Sequence, residues 1–341
     1  MQRVGILTGG GDCPGLNPVI RAVYKRASID GFQVLGFRNG WRGVIEGEFM
    51  ILDAQSVSGI LPKGGTILGT SRTNPFKKPG DLEKLKSTMT KHELTALVAV
   101  GGEDTLGAAY KLHKEGVKVV GVPKTIDNDL NATDYTFGYD TALNIAMECI
   151  DRLHTTAESH NRVMVAEIMG RHAGWIALES GLAGGADVIL IPEVPVEVDH
   201  VCDLIRKRHA RGKTFSIVAV AEGAVLKNQG TVAEQKLDQF GHVRLGGIGQ
   251  VLGELIEKKT GFETRVTVLG HIQRGGSPTA FDRILGTRFG VKAFELVKQQ
   301  KFGYMVSLQG REIVSVPLED AVGQLKTVPP DYYELAQIFF G

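Results

Sequence analysis

Between Pro123 and Asp129 the chain reads PKTIDND, which sets two carboxylates, Asp127 and Asp129, directly after Lys124 and Thr125. Phosphoryl transfer to a hydroxyl needs a carboxylate to accept the proton and cations to balance the charge on the moving group. This loop supplies both, although a solvated acidic turn uses the same residue types. Upstream, Gly101-Gly102-Glu103-Asp104-Thr105 follows the apolar run Leu97 to Val100 and leads into a helical pattern from about Leu106. Adjacent acids in such a loop suit Mg²⁺, which takes one or two carboxylates and keeps its waters. Capping of the helix by Asp104 or Thr105 is the simpler use.

Other segments offer anion-binding chemistry. The first loop, TGGGDCPGLN from Thr8 to Asn17, places glycines including Gly11 ahead of a helix running from about Asn17 to Ala27. Backbone N–H groups can approach an anion closely there, and the helix N-terminus favours negative charge. A second loop runs from Lys63 through Gly69-Thr70-Ser71-Arg72, small residues around one guanidinium. Further on stand Arg162, Met169-Gly170-Arg171-His172, Glu222, Arg265 and His271-Ile272-Gln273-Arg274-Gly275-Gly276. Guanidinium groups grip phosphate oxygens and a glutamate accepts from hydroxyls, so this set suits a sugar phosphate. His154, His160 and His172 are assigned to packing or capping.

Short β-branched runs precede most of these segments: Arg3 to Leu7, Leu97 to Val100, Val117 to Val122, Val163 to Ile168, Val188 to Ile191, Ile217 to Ala221 and Val266 to Leu269. Strands alternating with helical patterns predict parallel sheets in an α/β fold, buried on both faces. The polar loops follow the strands, so they are expected at the carboxyl edges, where open α/β sheets bind ligands. The stretch from about Leu226 to Gly247 has no strong period and reads as a surface excursion.

The 341 residues suit two domains, the second beginning near Asp140. Hydrophobic residues at 43% and charged residues at 23% are ordinary for a folded protein. The 39 basic and 38 acidic residues are spread without like-charge blocks, which speaks against a nucleic-acid or lipid surface. Cys13, Cys149 and Cys202 lie far apart, suggesting neither zinc nor a disulfide framework. The chain opens on Val4-Gly5-Ile6-Leu7 rather than a charged and then apolar leader, and no apolar stretch approaches the roughly 18 residues of a membrane span. The expectation is a cytoplasmic enzyme.

Taken in order, TGGGDCPGLN, GTSR, GGEDT, PKTIDND, MGRHAGW, the Ala221-Glu222-Gly223 turn and GHIQRGG closely resemble the 6-phosphofructokinase family over about residues 3 to 290. The resemblance implies two similar Rossmann-like doubly wound domains with the active site in the cleft between them. The larger, donor-binding domain would hold 1-139 plus 273-323, and the smaller, sugar-phosphate domain 140-272 plus 324-341. It implies transfer to the 1-hydroxyl of fructose 6-phosphate, with Asp127 as general base and Thr125, Asp129 and Arg171 assisting. Gly11, Arg72, Glu103, Asp104, Thr105 and Lys124 would line the donor, with Mg²⁺ at Glu103 and Asp104. Thr125, Asp127, Arg162, Met169, Gly170, Arg171, Glu222, Arg265, His271 and Arg274 would meet the sugar phosphate, Arg162 and Arg265 from a neighbouring subunit. A homo-oligomer, tetramer or dimer, follows from that sharing.

Within the family the donor splits at the third loop. ATP users carry glycine after the acid, whereas this chain has Asp104, whose carboxylate would occupy and repel the α-phosphate position. Lys124 replaces the glycine of many ATP users, although some ATP users share the lysine. Pyrophosphate is therefore the expected donor and ATP the alternative. A binding-only regulator on the same fold is a remoter alternative, disfavoured by the intact TIDND loop. So is a lipid- or NAD-kinase-type protein, which lacks the MGR and GHIQRGG segments. Arg21, Lys25, Arg211, Lys213 and Asp187 partly resemble the effector site of ATP-dependent bacterial relatives, but Ala54 departs from it, so little or no regulation is expected.

Overall fold

The computed structural model describes residues 2–227 and 245–341. The stretch read as a surface excursion lies outside the described residues except at its two ends. In chain order the strands are β1 (Arg3–Thr8), β2 (Gln33–Phe37), β3 (Phe49–Leu52), β4 (Leu94–Gly101), β5 (Val119–Pro123), β6 (Val163–Ile168), β7 (Val188–Leu190), β8 (Ser216–Ala221), β9 (Thr264–Val268), β10 (Tyr304–Gln309) and β11 (Glu312–Pro317). The helices are α1 (Leu16–Ile29), α2 (Trp41–Glu46), α3 (Asp81–Lys91), α4 (Glu103–Lys114), α5 (Tyr139–His160), α6 (Trp175–Ala183), α7 (Val198–Ala210), α8 (Ile248–Thr260), α9 (Ala280–Lys298), α10 (Leu318–Ala321) and α11 (Pro330–Gln337).

Two compact units emerge. The first comprises Met1–Ile126, Leu130–Thr141 and Arg274–Leu325; the second comprises Asp127–Asp129, Ala142–Gln273 and Lys326–Gly341. The first holds a seven-stranded sheet in the order β11-β10-β5-β4-β1-β2-β3. Its five inner strands are parallel, while β3 and β11 close the edges antiparallel. The second holds an all-parallel four-stranded sheet, β7-β8-β6-β9.

The inner strands of both sheets are buried on both faces, as uninterrupted apolar strands require, while the edge strands β3, β9 and β11 are partly exposed. In β4, Leu97 and Ala99 enter one core with Leu85, Leu106 and Leu112 of α3 and α4, while alternate residues Val98 and Val100 are equally buried on the other face. Helices α1 and α9 pack against each other there. Gly290 permits the approach, since a Cβ on it would stand 2.7 Å from the Val19 carbonyl oxygen. In the second unit α7 and α8 close one face over Val163, Val165, Val218 and Val220. No helix among the described residues is long and apolar enough to cross a membrane.

Parallel strands place the loops after β1, β4, β5, β6 and β8 at carboxyl edges, as expected. The loop from Lys63 to Arg72 does not follow that rule. It belongs to an irregular segment between β3 and α3, and is tied to the end of β1 instead: Thr8 Oγ1 donates to the Gly69 carbonyl at 2.9 Å, and Thr70 Oγ1 to that of Gly10 at 2.5 Å. A second difference concerns Glu103 and Asp104, which form the first turn of α4 rather than the loop before it. Acidic side chains are favourable there because unpaired N–H groups leave that end of a helix positive.

A buried carboxylate locks two helix starts within the first unit. Asp282 of α9 is wholly buried and accepts from Gly138 N at 2.9 Å, Thr141 N at 2.8 Å and Thr141 Oγ1 at 2.6 Å. Thr279 caps α9 and donates to Asp140 at 2.5 Å. Burial, opposed by these hydrogen bonds, raises the Asp282 carboxyl from 3.8 to about 6. The folded state therefore binds this proton more tightly than the unfolded chain. Stability from this group is fully present below the unfolded pKa near 4 and falls by about 3 kcal/mol as pH rises through about 6. Asp282→Asn cannot titrate, and its amide turns a donor toward Thr141, costing roughly 1–3 kcal/mol. Denaturant unfolding should show the gap between wild type and variant narrowing from about pH 4 to about pH 6 and flat above. A gap independent of pH would contradict this.

Candidate active site

In the first unit, the carboxyl ends of β1, β4 and β5 meet around Lys124. This lysine is 4% exposed, and its ammonium donates to the carbonyl oxygen of Gly11 in the first glycine loop. Its backbone N–H donates to Gly101 O at 3.0 Å, which sets the start of the PKTIDND loop beside the Glu103-Asp104 turn. The glycines here are steric requirements. A Cβ on Gly9 would lie 2.6 Å from Thr105 Oγ1, and one on Gly101 2.4 Å from Thr105 Cβ, so both strands end flush against the buried threonine. Likewise a Cβ on Gly11 would meet the Arg274 guanidinium at 2.6 Å, which places Arg274 against the first loop. Arg72 and Glu103 are exposed, and Asp104 and Thr125 half-buried.

The second unit gathers Asp127, Asp129, Met169, Gly170, Arg171 and Glu222. Asp127 and Asn128 are buried at 6% and 2% exposure, and Asn128 takes a left-handed φ of 52°. Glu222, just past β8, accepts from Gly170 N at 3.4 Å and Arg171 N at 3.2 Å. Those two residues carry φ values of 148° and 52°, so the carboxylate stabilises a turn whose conformation is otherwise unfavourable for Arg171. Gly223 leaves the room, because a Cβ there would fall 1.7 Å from the Arg171 carbonyl oxygen. Burial, with a further contribution from the charge of Asp127, pushes the Glu222 carboxyl upward. A second glutamate, Glu167 of β6, is 2% exposed and accepts from Gly247 N and Gly249 N at the start of α8.

Three candidates stand apart from that gathering. Arg162 precedes β6, and Arg265 is near the start of β9; both guanidinium groups engage Glu263, Arg162 at 2.8 Å. They therefore lie at the amino edge of the small sheet, with Arg162 a strand length, about 20 Å, from Met169. His271 is exposed in the short 3₁₀ turn Gly270–Arg274. Of the residues compared with an effector site, Asp187 is occupied by Arg208 at 2.9 Å and by the amide of Ile217 at 2.8 Å.

Sequence reasoning missed Glu167, Glu193, Asp282 and Lys326. Glu193 Oε1 accepts from both Gly174 N and Val328 N at 2.9 Å, and Lys326 Nζ donates to Asn128 Oδ1 at 3.0 Å. Asp282 had a local signal, standing three residues after the capping Thr279. The others bind partners remote in sequence, and no spacing announces them.

Residues 3–297 match the phosphofructokinase family model. A pyrophosphate--fructose 6-phosphate 1-phosphotransferase of Streptomyces coelicolor is 57% identical, with all of both chains covered. An ATP-dependent 6-phosphofructokinase of Mycobacterium leprae is 53% identical, again over all of both chains. Among solved structures, Pichia pastoris phosphofructokinase in the T-state superposes with a TM-score of 0.84 at 33% identity; the match takes in 94% of this chain but 35% of that longer one. Two sheets of mainly parallel strands with loops of this chemistry at their carboxyl edges, and matches of this extent, lead to one conclusion: the chain belongs to the phosphofructokinase family.

Proposed function

We propose that the protein transfers a phosphoryl group reversibly between pyrophosphate and the 1-hydroxyl of fructose 6-phosphate. In the forward direction the Asp127 carboxylate takes the hydroxyl proton, and the sugar oxygen attacks the terminal phosphorus of pyrophosphate. The bridging P–O bond breaks and orthophosphate leaves. Thr125 and Asp129 flank Asp127 on the same loop, and Arg171 balances charge on the moving group. Glu222, Met169, Gly170, His271 and Arg274 are assigned to the sugar phosphate. Gly11, Arg72, Glu103, Asp104, Thr105 and Lys124 are assigned to the donor.

Mg²⁺ fits the acidic first turn of α4. Among the described residues no cluster of three or more His, Cys, Asp or Glu side chains forms a cage. Glu103 and Asp104 supply the one or two carboxylates that Mg²⁺ takes when phosphate oxygens and waters complete its shell. Bound there, it would neutralise charge developing on the transferred group.

The observation that carries the choice of donor is Asp104 in the first turn of α4, beside the strand end that bears Lys124. A carboxylate there opposes an α-phosphate, while the buried ammonium favours a compact anion. The relatives' names support both donors, since pyrophosphate and ATP each appear at above 50% identity. Arg162 and Arg265 are read as serving a neighbouring copy. The exposed edge strand β9 supports that reading, since it carries Arg265 together with Val268 at 58% exposure.

Initial rates with Mg²⁺ and fructose 6-phosphate should be robust with pyrophosphate and absent with ATP. Turnover with ATP and none with pyrophosphate would overturn the donor assignment. Replacing both Asp104 and Lys124 by glycine should introduce measurable ATP use. If the double variant binds ATP no better in a titration, the exclusion argument is wrong. Asp127→Asn should lower kcat about 10²–10⁴-fold; unchanged turnover would remove Asp127 as the base and favour a binding role for the fold.

A further inference from the structure

The chain returns to the second unit at Lys326, and its first residues there run alongside the Asp127–Asp129 segment. Lys326 N donates to Asp129 O at 2.9 Å, next to an antiparallel bridge between Leu130 and Leu325. That backbone register places the lysine side chain at Asn128, where Nζ donates to Oδ1 at 3.0 Å. The same ammonium lies 5.4 Å from the centre of the Trp175 ring, within range of a cation–π attraction. Trp175 in turn donates from Nε1 to the Lys326 carbonyl at 2.9 Å. Two residues further on, Val328 N shares Glu193 Oε1 with Gly174 N, each at 2.9 Å. The C-terminal segment 326–328 is thus fastened both to the TIDND loop and to the segment that follows Arg171.

Asn128 is where such fastening matters. It is buried at 2% exposure in the left-handed region, with Asp127 on one side and Asp129 on the other. A non-glycine residue rests there only when its surroundings hold it, and asparagine does so through its side-chain amide. A rotation at this residue would redirect both neighbouring carboxylates.

We propose that Lys326 is a positioning residue for phosphoryl transfer: seated on Trp175, its ammonium holds Asn128 in the left-handed turn and thereby aims Asp127. The role rests on the reading of Asp127 as the proton acceptor. A residue that merely anchors the C-terminal tail would affect stability and leave the chemistry alone.

The full-length wild type is compared with Lys326→Met, Lys326→Gln and Lys326→Arg by steady-state kinetics and by hydrogen exchange read by mass spectrometry. Lys326→Met is expected to lose about 10–100-fold in kcat, the scale on which small misplacements act, with the KM for fructose 6-phosphate changed less than about threefold. Lys326→Arg should recover part of that loss, since its guanidinium can donate to Asn128 and stack on the ring. Amides of residues 124–130 should exchange faster in Lys326→Met, while those of β8 keep their wild-type rate. Wild-type kcat together with wild-type exchange over 124–130 would overturn the proposal. So would faster exchange throughout the molecule, which would mark general loosening. Should Lys326→Met fail to fold, Lys326→Gln carries the same comparison. Should the wild type turn over with neither pyrophosphate nor ATP, the proposed reaction falls, while the exchange comparison still decides whether Lys326 holds the loop.

Discussion

A buried ammonium at the end of a parallel sheet is the interaction on which the first unit's chemistry depends. Lys124 follows β5, yet its Nζ reaches the Gly11 carbonyl in the loop after β1, spanning the end of β4 that lies between them. Burying a cation without partners is costly, so the contact dictates how closely the glycine loop approaches. Gly9 and Gly101 answer a separate, steric demand, because only glycine lets β1 and β4 end against Thr105. Three loops separated in sequence are thereby held around one positive charge, with the carboxylates of α4 beside it.

The second unit solves the opposite problem, with carboxylates shaping the backbone. Glu222 stabilises the left-handed turn at Gly170 and Arg171, Glu167 fastens the start of α8, and Glu193 joins Gly174 to the C-terminal segment. An acceptor with two oxygens can satisfy several amides at once, and each amide satisfied is one that need not reach water. Such a scaffold carries a cost: burial first, and then the charge of nearby Asp127, raises the Glu222 carboxyl.

The sequence revealed what repeats locally and hid what depends on distance. The strands β1, β4 to β9 were legible as apolar runs ending in polar loops, and the ordered motifs identified the family. Strands β2, β3, β10 and β11 were not read. β11 is half-exposed along most of its length and shows no buried face, and β3 closes an edge where pairing rather than hydrophobicity decides. Glu103 and Asp104 looked like loop residues because paired glycines precede them, yet the helix begins at once. Lys326 was invisible because its partner Asn128 lies 198 positions away. Arg162 and Arg265 were singled out for their chemistry alone; that both stand at the amino edge of their sheet follows from strand polarity, which the residues themselves do not announce.

Pyrophosphate as donor has a thermodynamic consequence that ATP lacks: the phosphates exchanged are of similar energy, so the enzyme should run readily backwards. The decisive measurement is phosphorus NMR of the wild type given fructose 1,6-bisphosphate, orthophosphate and Mg²⁺, with no nucleotide present. A growing pyrophosphate resonance with matching formation of fructose 6-phosphate is the expected result. No pyrophosphate under those conditions, with ATP formed once ADP replaces orthophosphate, would contradict it.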